Sequence, residues 1–327
     1  MTTTIVRGIG DYRPPSDRPT VVTVGTFDGI HLGHQEILRR VQDTARKLDY
    51  DPVLVTFHPH PRVVVTPGDA PLLLTTIEEK ERFVQDFFEG TVLVLEFNRP
   101  LMNMSAEQYV RDILLSRLGM KKLVVGYDHA FGKNRSGTIV ELKRLGESLA
   151  FDVEVIGPVT VADRRVSSSA IRRALRQGDF TTALTMLGHP YAIHGVVEKG
   201  IGLGRKLGYP TANIRHNSRK LLPAHGVYAC RAHLGRARYE GMMFIGTNHF
   251  NPEQRTSVEA NLFDFEGDLY GREILVCPTR FIRENRRFES ADRLVDQIKR
   301  DKMEVLRTYG LEKGNANAQG KESRDYC

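Results

Sequence analysis

Residues 25–34 read Gly-Thr-Phe-Asp-Gly-Ile-His-Leu-Gly-His, and the residues on either side make this stretch the turn between a strand and a helix. Before it, Val21 to Val24 form an apolar run of the kind that makes a buried strand. After it, Ile37, Leu38, Val41, Ala45 and Leu48 recur on one helical face. The first N–H groups of such a helix lack intrahelical partners and carry the positive end of its dipole, so an anion is favoured there. Gly29 and Gly33 let the backbone approach a ligand closely. His31 and His34 add two imidazoles where phosphates would lie. The alternative, two surface or capping histidines, stays open at this point. Metal ligation has less behind it. His58 and His60 supply further imidazoles in Phe-His-Pro-His-Pro, but neither HExxH nor paired CxxC occurs.

A chain of 327 residues is long enough for two domains, each with its own core. Its 40% hydrophobic and 27% charged content is that of a globular protein. No apolar run has the length of a membrane span, and Met1 to Thr4 are not followed by a signal-peptide core, so no membrane association and a cytoplasmic location are expected. Lys and Arg total 47 against 40 Asp and Glu, a net charge of +7. The surplus is dispersed: Leu311 to Cys327 carries Lys313, Lys321 and Arg324 against Glu312, Glu322 and Asp325. That argues against a nucleic-acid arm and leaves a basic solvated surface or small polyphosphate ligands.

Up to about residue 160, short apolar runs alternate with helical patterns, which predicts a parallel sheet covered by helices. The runs are Val21–Phe27, Val53–Phe57, Val92–Phe97, Leu123–Tyr127 and Val153–Ile156. Ser105 to Gln108 make a capping-box pattern, with Val110, Ile113, Leu114 and Leu118 following at helical spacing. Polar residues gather after the strands, Thr26 and Asp28, His58 and His60, Asn98, and Asp128. In a doubly wound sheet one crevice at the strands' carboxyl ends would collect them. Beyond about residue 190 the period becomes two, with many turns: Gly226–His233, Tyr239–Ile245, Val258–Phe265 and Ile274–Cys277 predict an antiparallel sheet closed into a barrel. A last helix from Ser290 places Leu294, Ile298, Val305 and Leu306 on one stripe. Residues 311–327 have nothing to bury and are expected to be disordered.

A second signature, Arg164-Arg-Val-Ser-Ser-Ser-Ala-Ile-Arg172, puts three hydroxyls and a basic residue at the start of another helix. Such serines cap helices, and together with Arg172 they can also hold part of a polyphosphate. No Lys-Met-Ser-Lys-Ser loop accompanies the His-Leu-Gly-His motif. Gly25 to His34, Val166-Ser-Ser-Ser-Ala-Ile-Arg172 and Gly204-Arg-Lys-Leu-Gly-Tyr-Pro-Thr-Ala-Asn213, in this order, resemble the bacterial bifunctional riboflavin kinase and FMN adenylyltransferase (FAD synthetase) family. The resemblance runs from about residue 18 to 310.

The resemblance implies a Rossmann-like, doubly wound nucleotidyltransferase domain over residues 1–186 and an antiparallel β-barrel riboflavin kinase domain with a terminal helix over 187–310. In the first, the phosphate of FMN would attack the α-phosphorus of ATP. His31 and His34 would stabilise charge developing on the ATP phosphates, with Gly25, Thr26, Phe27, Asp28 and Gly33 around the nucleotide. Asp28 before Gly29 is also a common turn pair. Arg165, Ser168 and Arg172 match the family's second nucleotide motif and would grip the leaving pyrophosphate. Asp128 and Phe131 fall on the flavin side. In the second, ATP would phosphorylate riboflavin. Gly202, Gly204 and Lys206 could drape over phosphates, although glycine clusters also mark ordinary hairpin loops and the Walker spacing is absent. Thr211 and Asn213 are neutral oxygen ligands on one side of an extended segment and suit Mg²⁺. Glu259 alternates with Val258, Ala260 and Leu262 and so faces away from the core. Such a glutamate is ordinarily solvated; beside Thr211 and Asn213 it is the candidate general base.

The implied ligands are therefore ATP, riboflavin, FMN and Mg²⁺, with no nucleic acid, and a homo-oligomer is compatible with the reading. Departures from the pattern fall mainly in the kinase half. Phe244-Ile-Gly-Thr-Asn-His-Phe250 is one residue shorter than the family's usual run, and Asn261 stands where histidine is frequent; both bear on the kinase rate. His129 replaces a common phenylalanine. Two other readings use the same residues: a nucleotidyltransferase for another phosphorylated acceptor, and a flavin or nucleic-acid binder without turnover.

Overall fold

Apolar runs rich in β-branched residues build the first sheet, because such side chains pack well on a pleated surface buried on both faces. Its strands are β1 (Thr4–Arg7), β2 (Thr20–Val24), β3 (Asp51–His58), β4 (Thr91–Glu96), β5 (Met120–Gly126) and β6 (Asp152–Ile156). In the computed structural model, which describes residues 2–133, 136–247 and 256–311, all pair in parallel in the order β1-β4-β3-β2-β5-β6. Strands β3 and β4 leave β2 on one side and β5 and β6 on the other. The order thus reverses beside β2, the place where doubly wound sheets open their ligand crevice.

Strand β2 stops at Val24, short of the expected Phe27. The Gly25 N–H still bonds the Val55 carbonyl at 3.0 Å, but Phe27 then turns to φ +46°, outside the β region. The helix Leu32–Leu48 buries Leu38, Val41 and Ala45 as expected, whereas Leu48 is 41% exposed. Leu48 is the last helical residue, and Asp49 closes the helix in the left-handed conformation, so that end lies beyond the buried stripe. The capping box forms: Ser105 Oγ accepts from the Gln108 N–H at 3.1 Å, and Gln108 Oε1 from the Ser105 N–H at 2.9 Å. Its helix, Ala106–Gln108, continues as a π-helix over Tyr109–Leu115. A small hairpin of β7 (Thr160–Val161) and β8 (Arg164–Arg165), turning through Ala162 and Asp163 at positive φ, places Arg165 on a strand.

The second sheet is a closed antiparallel barrel of β9 (Ile193–Glu198), β10 (Ala212–His216), β11 (Gly226–Leu234), β12 (Ala237–Gly246), β13 (Ser257–Leu262) and β14 (Glu273–Glu284), in the order β10-β13-β12-β11-β14-β9. Strand β13 ends before the expected Phe265 because Asp264 takes φ +55°. Strand β14 runs well past the expected Cys277. It pairs with β9 first and β11 afterwards, and register shifts accommodate Pro278, which has no N–H to give. The terminal helix Ala291–Tyr309 is capped by Ser290 and packs Ile298, Val305 and Leu306 against Ala229, Met242 and Phe263.

Packing divides the chain into one unit of residues 1–73 and 80–168 and another of 74–79 and 169 onward. The short segment joins the barrel unit through Glu79, whose Oε2 lies 2.6 Å from Lys220 Nζ with both side chains buried. Apart from Leu311, residues 311–327 lie outside the described residues, as do Asn248, His249 and Phe250.

Candidate active sites

In the first unit, the chain leaving β2 turns through Phe27 (φ +46°), Gly29 (φ +91°) and Ile30 (φ +38°) before the helix begins. Close packing explains the glycines that flank this turn. A Cβ on Gly25 would lie 3.0 Å from the Phe27 ring, and one on Gly33 would lie 3.3 Å from the His31 imidazole. Asp28 is buried, and its carbonyl accepts from Ser168 Oγ at 2.9 Å. The Thr26 carbonyl accepts from Lys80 Nζ at 2.6 Å and from Thr56 Oγ1 at 3.1 Å.

His31 is the N-cap: its Nδ1 accepts from the His34 N–H at 3.3 Å. An accepting Nδ1 puts the neutral ring's proton on Nε2. The His31 and His34 rings stack with centroids 3.6 Å apart and 14° between planes, and Phe27 lies 5.0 Å from His34. Burial first, then the charges of His31 and Lys80, hold the His34 pKa well below that of an ordinary histidine. Its buried Nδ1 has no hydrogen-bond partner among the described residues. The capping alternative is thus true of His31, and it coexists with a stacked pair of imidazoles fixed at a helix start.

Arg165 and Asp128 also come together: Arg165 Nη2 is 3.8 Å from Asp128 Oδ2, and the guanidinium stacks 4.0 Å from the centre of the Tyr127 ring. Phe131 lies 5.0 Å from Tyr109 and 5.5 Å from His129. Ser168 opens the helix Ser168–Arg176, on which Arg172 is buried; Arg172 falls in the second unit. Two polar residues expected in the crevice act as caps: His60 Nδ1 accepts from the Arg62 N–H, and Asn98 Oδ1 from the Leu101 N–H.

On the barrel, antiparallel pairing sets Asn213 of β10 opposite Glu259 of β13. Glu259 Oε2 accepts from Thr211 Oγ1 at 3.1 Å and Oε1 from Ser257 Oγ at 3.3 Å. Val258, Ala260 and Leu262 are buried and Glu259 is half-buried, as the alternation predicts. Asn261 breaks that alternation. It is buried on the Glu259 side of the strand and donates through Nδ2 to the Pro210 carbonyl at 2.7 Å. The glycine-rich segment packs against the same residues: a Cβ on Gly200 would lie 2.2 Å from the Asn213 amide, and one on Gly204 would lie 3.3 Å from Thr211 Oγ1. Gly202 (φ +71°) starts the short helix Leu203–Lys206, whose Lys206 is exposed. The N–H groups of Lys206, Leu207, Gly208 and Tyr209 are all bonded within this segment, so only earlier amides can drape over a ligand.

Both clusters coincide with matches to known families. The FAD synthetase family model matches residues 13–170, and the riboflavin kinase family model matches residues 187–309. The bifunctional riboflavin kinase/FMN adenylyltransferase of Escherichia coli K12 is 35% identical over 310 residues, covering 94% of this chain and 99% of that protein. The chain belongs to the bifunctional riboflavin kinase/FMN adenylyltransferase family. A family member from Pseudomonas fluorescens is 37% identical over 298 residues, 91% of this chain and 95% of that one. A crystal structure from Streptococcus pneumoniae, described as a macrolide-efflux protein, is 32% identical with a TM-score of 0.81, covering 94% of this chain and 99% of that chain. Its fold is that of this family member, whatever its name suggests. Among the described residues, no helix is long and apolar enough to cross a membrane.

Three of the residues just described carry no legible signal in the sequence. Lys80 sits in Glu78-Glu-Lys-Glu-Arg82, which reads as a solvated charged face, and Thr56 reads as an ordinary strand residue. Ser257 carries no signal of its own. Asn261 is legible only as a departure from the histidine that the resemblance leads one to expect.

Proposed function

We propose that the chain makes FAD from riboflavin in two ATP-dependent steps, with the kinase on residues 187–310 and the adenylyltransferase on residues 1–186. The observation that carries the reading is the meeting of Glu259 and Thr211, 48 residues apart, at 3.1 Å beside Asn213. In the kinase step the terminal ribityl hydroxyl oxygen attacks the γ-phosphorus of ATP. The bond to ADP breaks, and Glu259 takes the hydroxyl proton. Thr211 and Ser257 orient the carboxylate from its two oxygens. The donor set, a hydroxyl and an amide oxygen next to a carboxylate, fits a hard divalent cation, so Thr211 and Asn213 would hold Mg²⁺. Bound there, Mg²⁺ would neutralise phosphate charge. Gly200 supports the same arrangement by leaving room for the Asn213 amide, and Gly202, Gly204 and Lys206 lie along the phosphates.

In the second step an FMN phosphate oxygen attacks the α-phosphorus of ATP, and the bond to the β-phosphate breaks to release pyrophosphate. His31 and His34 stabilise the charge that develops, which favours donors already fixed in place. Gly25, Thr26, Phe27, Asp28 and Gly33 line the nucleotide, and Arg165 and Ser168 hold the leaving pyrophosphate. Asp128 and Phe131 take the flavin side; the proximity of Asp128 to Arg165 supports a shared edge. The substrates are small and water-soluble, consistent with work in the cytoplasm with no membrane or nucleic acid, and self-association is compatible with either step.

Incubating the purified chain with riboflavin, ATP and MgCl₂, then resolving the flavins by chromatography, tests the proposal. FMN and FAD are both expected. FAD from added FMN without FMN from riboflavin would overturn the kinase, and no FAD from either source would overturn the adenylyltransferase.

A further inference from the structure

We infer that Lys80 is a positioning residue for adenylyl transfer, its ammonium fixing the turn that carries His31 and His34. The inference rests on the adenylyltransferase reading and goes beyond it, because none of the motifs includes Lys80. Lys80 lies on the helix Ile77–Phe87 and is 8% exposed. Its Nζ donates to the Thr26 carbonyl at 2.6 Å and to Thr56 Oγ1 at 3.2 Å, and Thr56 Oγ1 donates to that same carbonyl at 3.1 Å. The three groups close a partly buried triangle under the first residues of the turn, tying the end of β2 to the far part of β3.

Satisfying one carbonyl does not require a cation, since Thr56 already bonds it. Burying an ammonium costs far more than burying a neutral donor, so an additional function is implied. The turn leads within five residues to His31 at the helix start, which on the adenylyltransferase reading receives phosphates. A fixed cation beneath it holds the backbone while adding no mobile group that must reorganise during the reaction. Burial lowers the Lys80 pKa to about 8 while the nearby Asp28 and Glu81 carboxylates raise it, so the group remains mostly an ammonium at neutral pH.

The test is single-turnover formation of FAD from FMN and ATP with MgCl₂, because that rate constant does not depend on the fraction of molecules that are active. Lys80→Met is expected to lower it at least about tenfold, as small misplacements of catalytic groups do. The half-saturating ATP concentration should change less than about threefold, and riboflavin phosphorylation by the same preparation should match wild type. Thr56→Val, nearly isosteric, should lower the rate constant in the same direction by less. A Lys80→Met rate constant within about threefold of wild type overturns the inference, as does a shift confined to ATP half-saturation. If Lys80→Met does not fold, Thr56→Val decides alone, and a wild-type rate constant there overturns it. Wild-type protein that forms no FAD from FMN would instead remove the underlying reading.

Discussion

Replacing Glu259 by glutamine separates proton abstraction from everything else the carboxylate does. In the wild type both carboxylate oxygens are engaged, Oε2 by Thr211 at 3.1 Å and Oε1 by Ser257 at 3.3 Å. Glutamine keeps the shape and one acceptor oxygen. Its NH₂ can donate to whichever hydroxyl loses its acceptor, since a hydroxyl rotates to accept as readily as it donates. The net loss of folding free energy is therefore at most about 1 kcal/mol, a fall of no more than about 2–4 °C in thermal midpoint for a unit of this size. The chemical loss is larger. A positioned general base contributes about 10²- to 10⁴-fold, which is about 3–5 kcal/mol of barrier. The assay is the rate of FMN formation at saturating riboflavin and ATP, with FAD formation from supplied FMN as the control in the same tube. Glu259→Gln should lose at least about a hundredfold in the first and nothing in the second. A kinase rate within about tenfold of wild type, with the thermal midpoint preserved, would refute the assignment of the base, because orientation alone would then account for the residue.

The His31→Ala, His34→Ala double variant should show the converse, losing about 10²- to 10³-fold in FAD formation while phosphorylating riboflavin normally; undiminished FAD output would remove their role. Asn261→Ala deletes the 2.7 Å bond to the Pro210 carbonyl and so loosens the segment that carries Thr211. The kinase rate should fall about tenfold while adenylyl transfer is unchanged, and Asn261→His should keep most of the activity if the donor is what matters. Lys220→Met strands the Glu79 carboxylate, which also accepts the His194 N–H at 2.9 Å and the Thr76 N–H at 2.9 Å. Calorimetry should register a loss of about 3–5 kcal/mol in the barrel unit. Combining it with Glu79→Gln should recover part of that loss, and a single-variant loss below about 1 kcal/mol would contradict the role of the pair.

How much of this architecture is legible in the sequence depends on how local the underlying physics is. The turn at Gly25–His34 and the capping box at Ser105 are each decided within a few residues, by backbone geometry or an orphan N–H, and both stand where expected. The parallel sheet and the barrel follow from hydrophobic period, which is local to each strand. The edge strand β1 had no such signal: four residues, only partly buried, gain their conformation by pairing with β4. Two strand ends also depart from the hydrophobic pattern. Phe27 and Phe265 extend their apolar runs, yet positive φ at Phe27 and at Asp264 ends the strand first.

The site residues divide along the same line. His31, His34 and Thr211 stand in the short motifs that carry the resemblance, and Glu259 is legible from the alternation of its strand. Lys80 is fixed by partners 54 and 24 residues away, and Asn261 by a carbonyl 51 residues away. A lysine between two glutamates is most often a solvated surface residue, and an asparagine on the polar side of a strand is most often exposed. What reverses both expectations is a buried carbonyl that a distant part of the chain delivers, since an unpaired one would cost about 1–3 kcal/mol. Asn261 shows how this works. The histidine that the resemblance leads one to expect at this position and this chain's asparagine both carry a nitrogen donor, and here the geometry needs only one, aimed at Pro210. The substitution therefore alters what surrounds the donor while keeping Thr211 within reach of Glu259, and Asn261→His measures that difference directly.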